Sequence, residues 1–136
     1  MNSGGGAMER ERDTIFALAS GRGRAGVAVV RTSGPRADDA LMAMTKAPLP
    51  DERRAVIRTL FDKMNDREID SALVIRFAPR KSYTGESVVE YQVHGGLAVV
   101  SALLDELKRC SGLRPAEPGE FTRRAVENGR LDLTQA

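Results

Sequence analysis

Val88-Val89-Glu90-Tyr91-Gln92-Val93-His94, then Gly95-Gly96, then the fourteen residues LAVVSALLDELKRC from Leu97 to Cys110, form the stretch on which the fold turns. Its first part alternates: Val89, Tyr91 and Val93 share one face, and Val88, Glu90, Gln92 and His94 share the other, which is the period of a strand. The two glycines break that strand. From Leu97 the period changes, because Val100, Leu103, Leu104 and Leu107 recur at helical spacing as one apolar stripe, and Gly112 supplies the left-handed stop. A strand with one apolar face followed directly by an amphipathic helix predicts a sheet with helices packed on it.

Upstream, residues 14–19 read as a first strand, the glycine-rich run GRGRAG at 21–26 as a turn, and residues 27–31 as a second, β-branched strand. Ser33-Gly34-Pro35 then opens a helix with proline in its first turn, and Ala37, Ala40, Leu41 and Met44 mark its buried side. Residues 55–61 and 71–77 read as a hairpin around Asn65 and Asp66, followed by a loop over 79–86. Downstream come a short segment at 113–116, the turn Pro118-Gly119 and a short helix over 121–128 closed by Gly129. The expected class is α+β, with a mixed, mainly antiparallel sheet and flanking helices. Residues 1–13 read as a disordered leader or an expression scar, and residues 14–131 as one domain. In Asp132-Leu133-Thr134-Gln135 a capping residue is followed by Gln three positions later, so residues 132–136 read as the start of a further, truncated helical domain.

Composition narrows the function classes. A chain of 136 residues that is 41% hydrophobic and 29% charged suits one ordinary globular core. With four Phe, two Tyr and no Trp, that core must be aliphatic. No apolar run approaches the ~20 residues of a membrane span, and none near the N-terminus has the form of a signal peptide. The single Cys110 cannot form an internal disulfide, which fits a reducing, cytoplasmic setting. Of the 21 basic residues only Lys46, Lys63, Lys81 and Lys108 are lysines, and a net charge of +2 carries no global field for nucleic acid. The arginines read either as genomic composition or, for a few, as planar forks for carboxylate or phosphate.

Gly21, Gly23 and Gly26 spell G-x-G-x-x-G, but a strand follows where a dinucleotide fingerprint needs a helix, so a tight turn is the better reading. No glycine is followed by lysine, which excludes a P-loop from this stretch. One His and one Cys supply neither a metal cluster nor a triad, so no catalytic and no metal residues are assigned. His94, before two glycines and a helix start, faces an approach open to an anion, though a strand-end histidine more often bonds its own turn. Glu90 stands out: a carboxylate in mid-strand needs solvent, a partner or a function. An arginine fork would satisfy it, and so would a ring edge with adjacent N–H donors. Arg31 ends its own strand, and Arg130 follows Gly129 in an exposed position.

The segments around Asp13-Thr14-Ile15, GRGRAGVAVVRTSG at 21–34, SYTGE at 82–86, EYQVHGG at 90–96 and EPGEFTRRAVENGRLDLTQA at 117–136 together resemble, in order and spacing, the N-terminal domain of the MnmE (TrmE) family of tRNA-modification GTPases. The resemblance implies a fold similar to the folate-binding module of the glycine-cleavage aminomethyltransferase. It implies a homodimer that binds a tetrahydrofolate derivative, 5-formyl- or methylene-tetrahydrofolate, at positions that fall here on Arg31, Glu90 and Arg130. Some relatives carry Lys where Arg130 stands, which keeps the charge and changes the geometry. For the full-length protein the resemblance implies a G domain that uses GTP, potassium and magnesium. It also implies an FAD-containing partner, MnmG, and modification of C5 of the wobble uridine in tRNA. Two readings stand beside this one: a folate-dependent aminomethyltransferase-like domain, and a structural or RNA-docking module without folate.

Overall fold

The computed structural model describes residues 13–19, 26–94 and 96–130. In chain order these form β1 (Thr14–Leu18), β2 (Val27–Ser33), α1 (Ala37–Thr45), β3 (Val56–Asp62), β4 (Arg67–Phe77), β5 (Val88–His94), α2 (Leu97–Arg109), β6 (Leu113–Pro115) and α3 (Glu120–Glu127), with one short 3-10 turn at Pro79–Lys81. The alternating strand is β5, and it lies inside a six-stranded sheet of order β3-β4-β5-β2-β1-β6. Each pairing is antiparallel except that of β1 with β6, so the sheet is mixed and mainly antiparallel, as the periodicity predicts.

One face carries the main core. Ala28, Val30, Ala72, Val74, Val89, Tyr91 and Val93 point from the sheet into Ala37, Ala40, Leu41 and Met44 of α1 and Val100, Leu103 and Leu107 of α2. Each fully buried Val, Leu or Met side chain among these contributes about 1.5–3 kcal/mol, and each Ala less. The α2 stripe differs from expectation in one place. Glu106 is buried at its edge while Leu104 is only partly buried. Glu106 is tolerated there because Arg109 donates to Oε1 at 2.9 Å and the Lys63 amide to Oε2 at 3.3 Å.

Element ends shift for local reasons. The start of α1 lies after Pro35: the Arg36 amide donates to Thr14 Oγ1 at 2.7 Å, and Gly34, at φ 142°, leaves no room for a Cβ, which would fall 2.6 Å from Thr14 Cα. β4 begins at Arg67 because Asp62 ties the hairpin turn, accepting from the amides of Met64 and Asn65 at 2.9 and 3.4 Å. The segment after Gly112 becomes β6, held by Thr14 N–H donating to Gly112 O at 3.1 Å and Ala116 N–H to Phe16 O at 2.9 Å. Most of the glycine-rich turn, with Arg22 and Arg24, lies outside the described residues, as do Gly95 and the capping sequence at 132–135. No described helix is long and apolar enough to cross a membrane.

The second face of the sheet is covered only in part. At the β1–β2–β5 end, α3 and the 78–87 loop lie over it and bury Ile15, Ser33, Thr84, Val88 and Ala125. Toward β3 and β4 that face stays open, and Ile57 is 60% exposed.

Candidate ligand site

The boundary between the covered and open parts of that second face is marked by a charge pair that strand register creates. Arg31 of β2 lies directly opposite Glu90 of β5. Its Nε donates to Glu90 Oε2 at 2.9 Å, and an Nη approaches the same oxygen at 2.8 Å. The two side chains keep 30% and 20% of their exposure. Among the described residues Glu90 Oε1 accepts no bond, so half of the carboxylate remains available.

Around this pair opens a cavity of about 510 Å³. Its floor is Ala17, Arg31, Glu90, Val88 and Phe77, and its walls are Lys81 and Tyr83 from the loop and Phe121 and Thr122 from α3. Tyr83 and Thr122 hydroxyls lie 3.3 Å apart across it. Lys81 brings an ammonium that makes no ion pair among the described residues. The cavity thus offers a half-free carboxylate, two cationic groups and three aromatic rings, within the size range of small-molecule sites.

The loop wall is tied down by its own sequence. Ser82 Oγ donates to Glu86 O at 2.6 Å and accepts from the Gly85 amide at 3.0 Å. Gly85 sits at φ 84°, and a Cβ there would fall 2.7 Å from Asn128 Cβ. Asn128 donates to Thr84 O at 2.9 Å, and Ser33 Oγ lies 2.7 Å from both Thr84 Oγ1 and Glu86 Oε1. Arg130 belongs to this scaffold: its Nε donates to Ser82 O at 3.1 Å and an Nη to Arg80 O at 2.9 Å.

Beneath the loop runs a second set of arginines and carboxylates. Glu120, 1% exposed, accepts from Arg114 at 2.9 and 2.6 Å on its two oxygens, from the Glu117 amide at 2.9 Å and from Arg124 at 3.3 Å. Arg124, itself buried, also donates to both oxygens of Glu86 at 3.0 and 3.2 Å. The Arg114 fork, then the Glu117 amide, hold the Glu120 carboxyl down at about 2, against the opposing effect of burial. The same bond raises Arg114 further above its ordinary value.

Of the residues singled out in the sequence, the structure brings Arg31 and Glu90 together in the cavity. Arg130 is exposed, as expected, and does not line the cavity; its guanidinium is spent on loop carbonyls. His94 lies at the far end of β5, where its amide and Nδ1 contact Asp70 Oδ2 at 2.8 and 3.3 Å. Sequence reasoning missed Lys81, Tyr83 and Thr122. The available signal was their place inside the SYTGE and PGEFTRR segments or beside them, at positions where loops meet the sheet.

A family model described as the N-terminus of the GTP-binding protein TrmE matches residues 14–130. The chain belongs to this family. Among relatives of the TrmE N-terminal domain, the "tRNA modification GTPase MnmE" of Phenylobacterium zucineum is 57% identical over 124 residues, covering 91% of this chain and 27% of the relative. The Caulobacter vibrioides protein of the same description is likewise 57% identical over 124 residues, with 91% and 27% covered. The mitochondrial "5-taurinomethyluridine-[tRNA] synthase subunit GTPB3" of Homo sapiens is 55% identical over 124 residues, covering 90% of this chain and 25% of its own length. The chain therefore spans about a quarter of the length of these TrmE-family relatives.

Proposed function

We propose that this TrmE N-terminal domain binds a tetrahydrofolate derivative, 5-formyl- or methylene-tetrahydrofolate, in the cavity over the Arg31–Glu90 pair. The observation that carries the reading is a carboxylate with one oxygen fixed by an arginine and the other, Oε1, without a partner among the described residues. A pterin presents adjacent N–H donors on its amino-pyrimidinone edge, and a half-satisfied carboxylate is the matching acceptor. Phe77, Tyr83 and Phe121 suit the flat pterin and aminobenzoate rings, and Lys81 and Arg31 suit the anionic glutamate tail. The bound folate would supply a one-carbon unit; the chain's own residues bind and orient it. In this reading Arg130 serves the site by fixing the loop that carries Lys81 and Tyr83. Similarity to the aminomethyltransferase folate module is part of the same proposal.

The open part of the sheet, with Ile57, Leu73 and Ile75 on one face, supports homodimerisation, since an uncovered apolar sheet face favours burial. Within a longer protein, the domain would serve cytoplasmic tRNA modification at the wobble uridine together with MnmG. GTP hydrolysis, with its potassium and magnesium, would belong to a part of the protein outside this chain, and the stretch after residue 131 to its helical domain. Calorimetric titration of the chain with 5-formyltetrahydrofolate tests the central claim: saturable binding that weakens in Glu90→Gln supports it, and absence of binding favours a structural or RNA-docking role. Sedimentation at high concentration tests the dimer, and a strictly monomeric chain would contradict it.

A further inference from the structure

The helical layer on the opposite side of the sheet contains a second concavity, of about 440 Å³, that none of the preceding roles uses. It opens between α1 and the C-terminal end of α2, beneath the β3–β4 turn. Ala40, Ala43, Met64 and Leu113 give it an apolar lining, and Arg36, Lys63 and Arg109 give it cationic groups. Two carboxylates share it, Asp39 and Glu106. Glu106 is neutralised by Arg109 at 2.9 Å and accepts a further bond from the Lys63 amide at 3.3 Å.

Arg36 is different. Its amide is held by Thr14 Oγ1, and its aliphatic stem lies across Gly112, where a Cβ would fall 2.6 Å from Arg36 Cδ. Gly112, at φ 82°, has a backbone that disfavours any side chain. The stem is thus positioned by packing, yet the guanidinium meets no carboxylate or carbonyl among the described residues. Arg31, Arg76, Arg114 and Arg124 all pair with carboxylates. The Lys63 ammonium is equally unpaired among the described residues, and Asp39, in the same cavity, closes a bridge to neither. Two unpaired cations of different geometry over an apolar lining suit a tetrahedral oxyanion on a less polar body: a fork for two oxygens and a point charge for the third.

We propose that this cavity binds a phosphate ester of nucleotide size, with the phosphate on Arg36 and Lys63 and the body against Ala40, Ala43 and Leu113. The ester is either a free mononucleotide or one nucleotide of an RNA strand. The site is separate from the folate cavity and shares no lining residue with it.

Titration of the 15N-labelled chain at constant ionic strength with adenosine monophosphate, and separately with single-stranded oligoadenylate, tests the proposal by NMR. The expected result is a saturable shift confined to the amides of residues 36, 63 and 110–113 and to the Arg36 Nε. The double variant Arg36→Gln/Lys63→Gln should weaken it by roughly tenfold or more with an unchanged melting temperature, since both side chains are exposed. Glu90→Gln should leave it unchanged, which separates this site from the folate reading. Equal affinity for both probes assigns a free ester, and a much tighter oligonucleotide assigns RNA; either result supports the site. Absence of saturable shifts at these residues up to about 10 mM of either probe would overturn it, as would shifts that persist in the double variant.

Discussion

Two arginine–carboxylate systems lie on the same face of the sheet, and they differ in how completely the carboxylate is used. Around Glu120 both oxygens are occupied by Arg114, Arg124 and the Glu117 amide, and the carboxylate is almost fully buried. Around Glu90 only Oε2 is engaged among the described residues, by Arg31, and the pair borders a cavity. A saturated, buried network has no bonding capacity left for a ligand, so its residues fix the fold. A half-satisfied pair at a cavity keeps an acceptor in reserve. Residue type alone does not separate the two cases; the count of partners does.

The largest expected effect breaks the saturated system. Glu120→Gln leaves buried Arg124 and half-buried Arg114 short of their common counter-charge, which should cost about 3–5 kcal/mol of stability. Thermal and denaturant unfolding would measure it; a loss below about 1 kcal/mol would mean that the network is not the structural element described. Acid provides a second way to break the network. The folded value of Glu120, about 2, lies below its ordinary 4.5, so its contribution is complete above 4.5 and is lost as pH falls from there toward 2. Unfolding free energy measured across that window should fall with acid in the native chain, and the part due to this residue should be missing from Glu120→Gln.

Smaller effects sharpen the other side of the comparison. Glu90→Gln should weaken 5-formyltetrahydrofolate binding by roughly one to two powers of ten, from a charge-assisted bond of about 1.5–3 kcal/mol. Its cost in stability should stay below about 1 kcal/mol, because the pair with Arg31 is partly solvated. Unchanged affinity in calorimetry would remove Glu90 from the site, and a large stability loss would place it with Glu120. The smallest effect concerns the helix-covered face. Tyr91 is fully buried, its hydroxyl has no partner among the described residues, and burial pushes its pKa up. Tyr91→Phe should be neutral or stabilising by up to about 1 kcal/mol, and a clear destabilisation would reveal a partner for that oxygen.

Much of the architecture was legible because period and breakers act locally. Val89, Tyr91 and Val93 are buried as their alternation predicts, and Gly129 closes α3 in the left-handed conformation. Val100, Leu103 and Leu107 line the core while Leu104 of the same stripe is only partly buried, and α2 ends at Arg109 with Cys110 extended, so the left-handed Gly112 falls two residues past that cap. Glu90 was legible as an anomaly, and the structure supplies one of the partners it called for by placing Arg31 opposite. Less was legible where two distant segments meet. Residues 113–116 carry no strand signal of their own and become β6 only by pairing in parallel with β1, a hundred residues earlier. Glu106 is buried at the edge of the apolar stripe, which no local pattern foretells, because its partners come from its own helix end and from a remote turn.

The α+β class, the helix-facing core and the odd placement of Glu90 are written in the order of residues, since they follow from side-chain period and from the cost of a carboxylate among apolar neighbours. Folding adds that Arg31 is the partner of Glu90, that Arg130 ties a loop, and that Lys81, Tyr83 and Phe121 close the cavity. It alone also separated Glu120 from Glu90. The physical reason is common to all of these: hydrogen-bond saturation and cavity shape depend on groups brought together from far along the chain, and local periodicity carries no record of them.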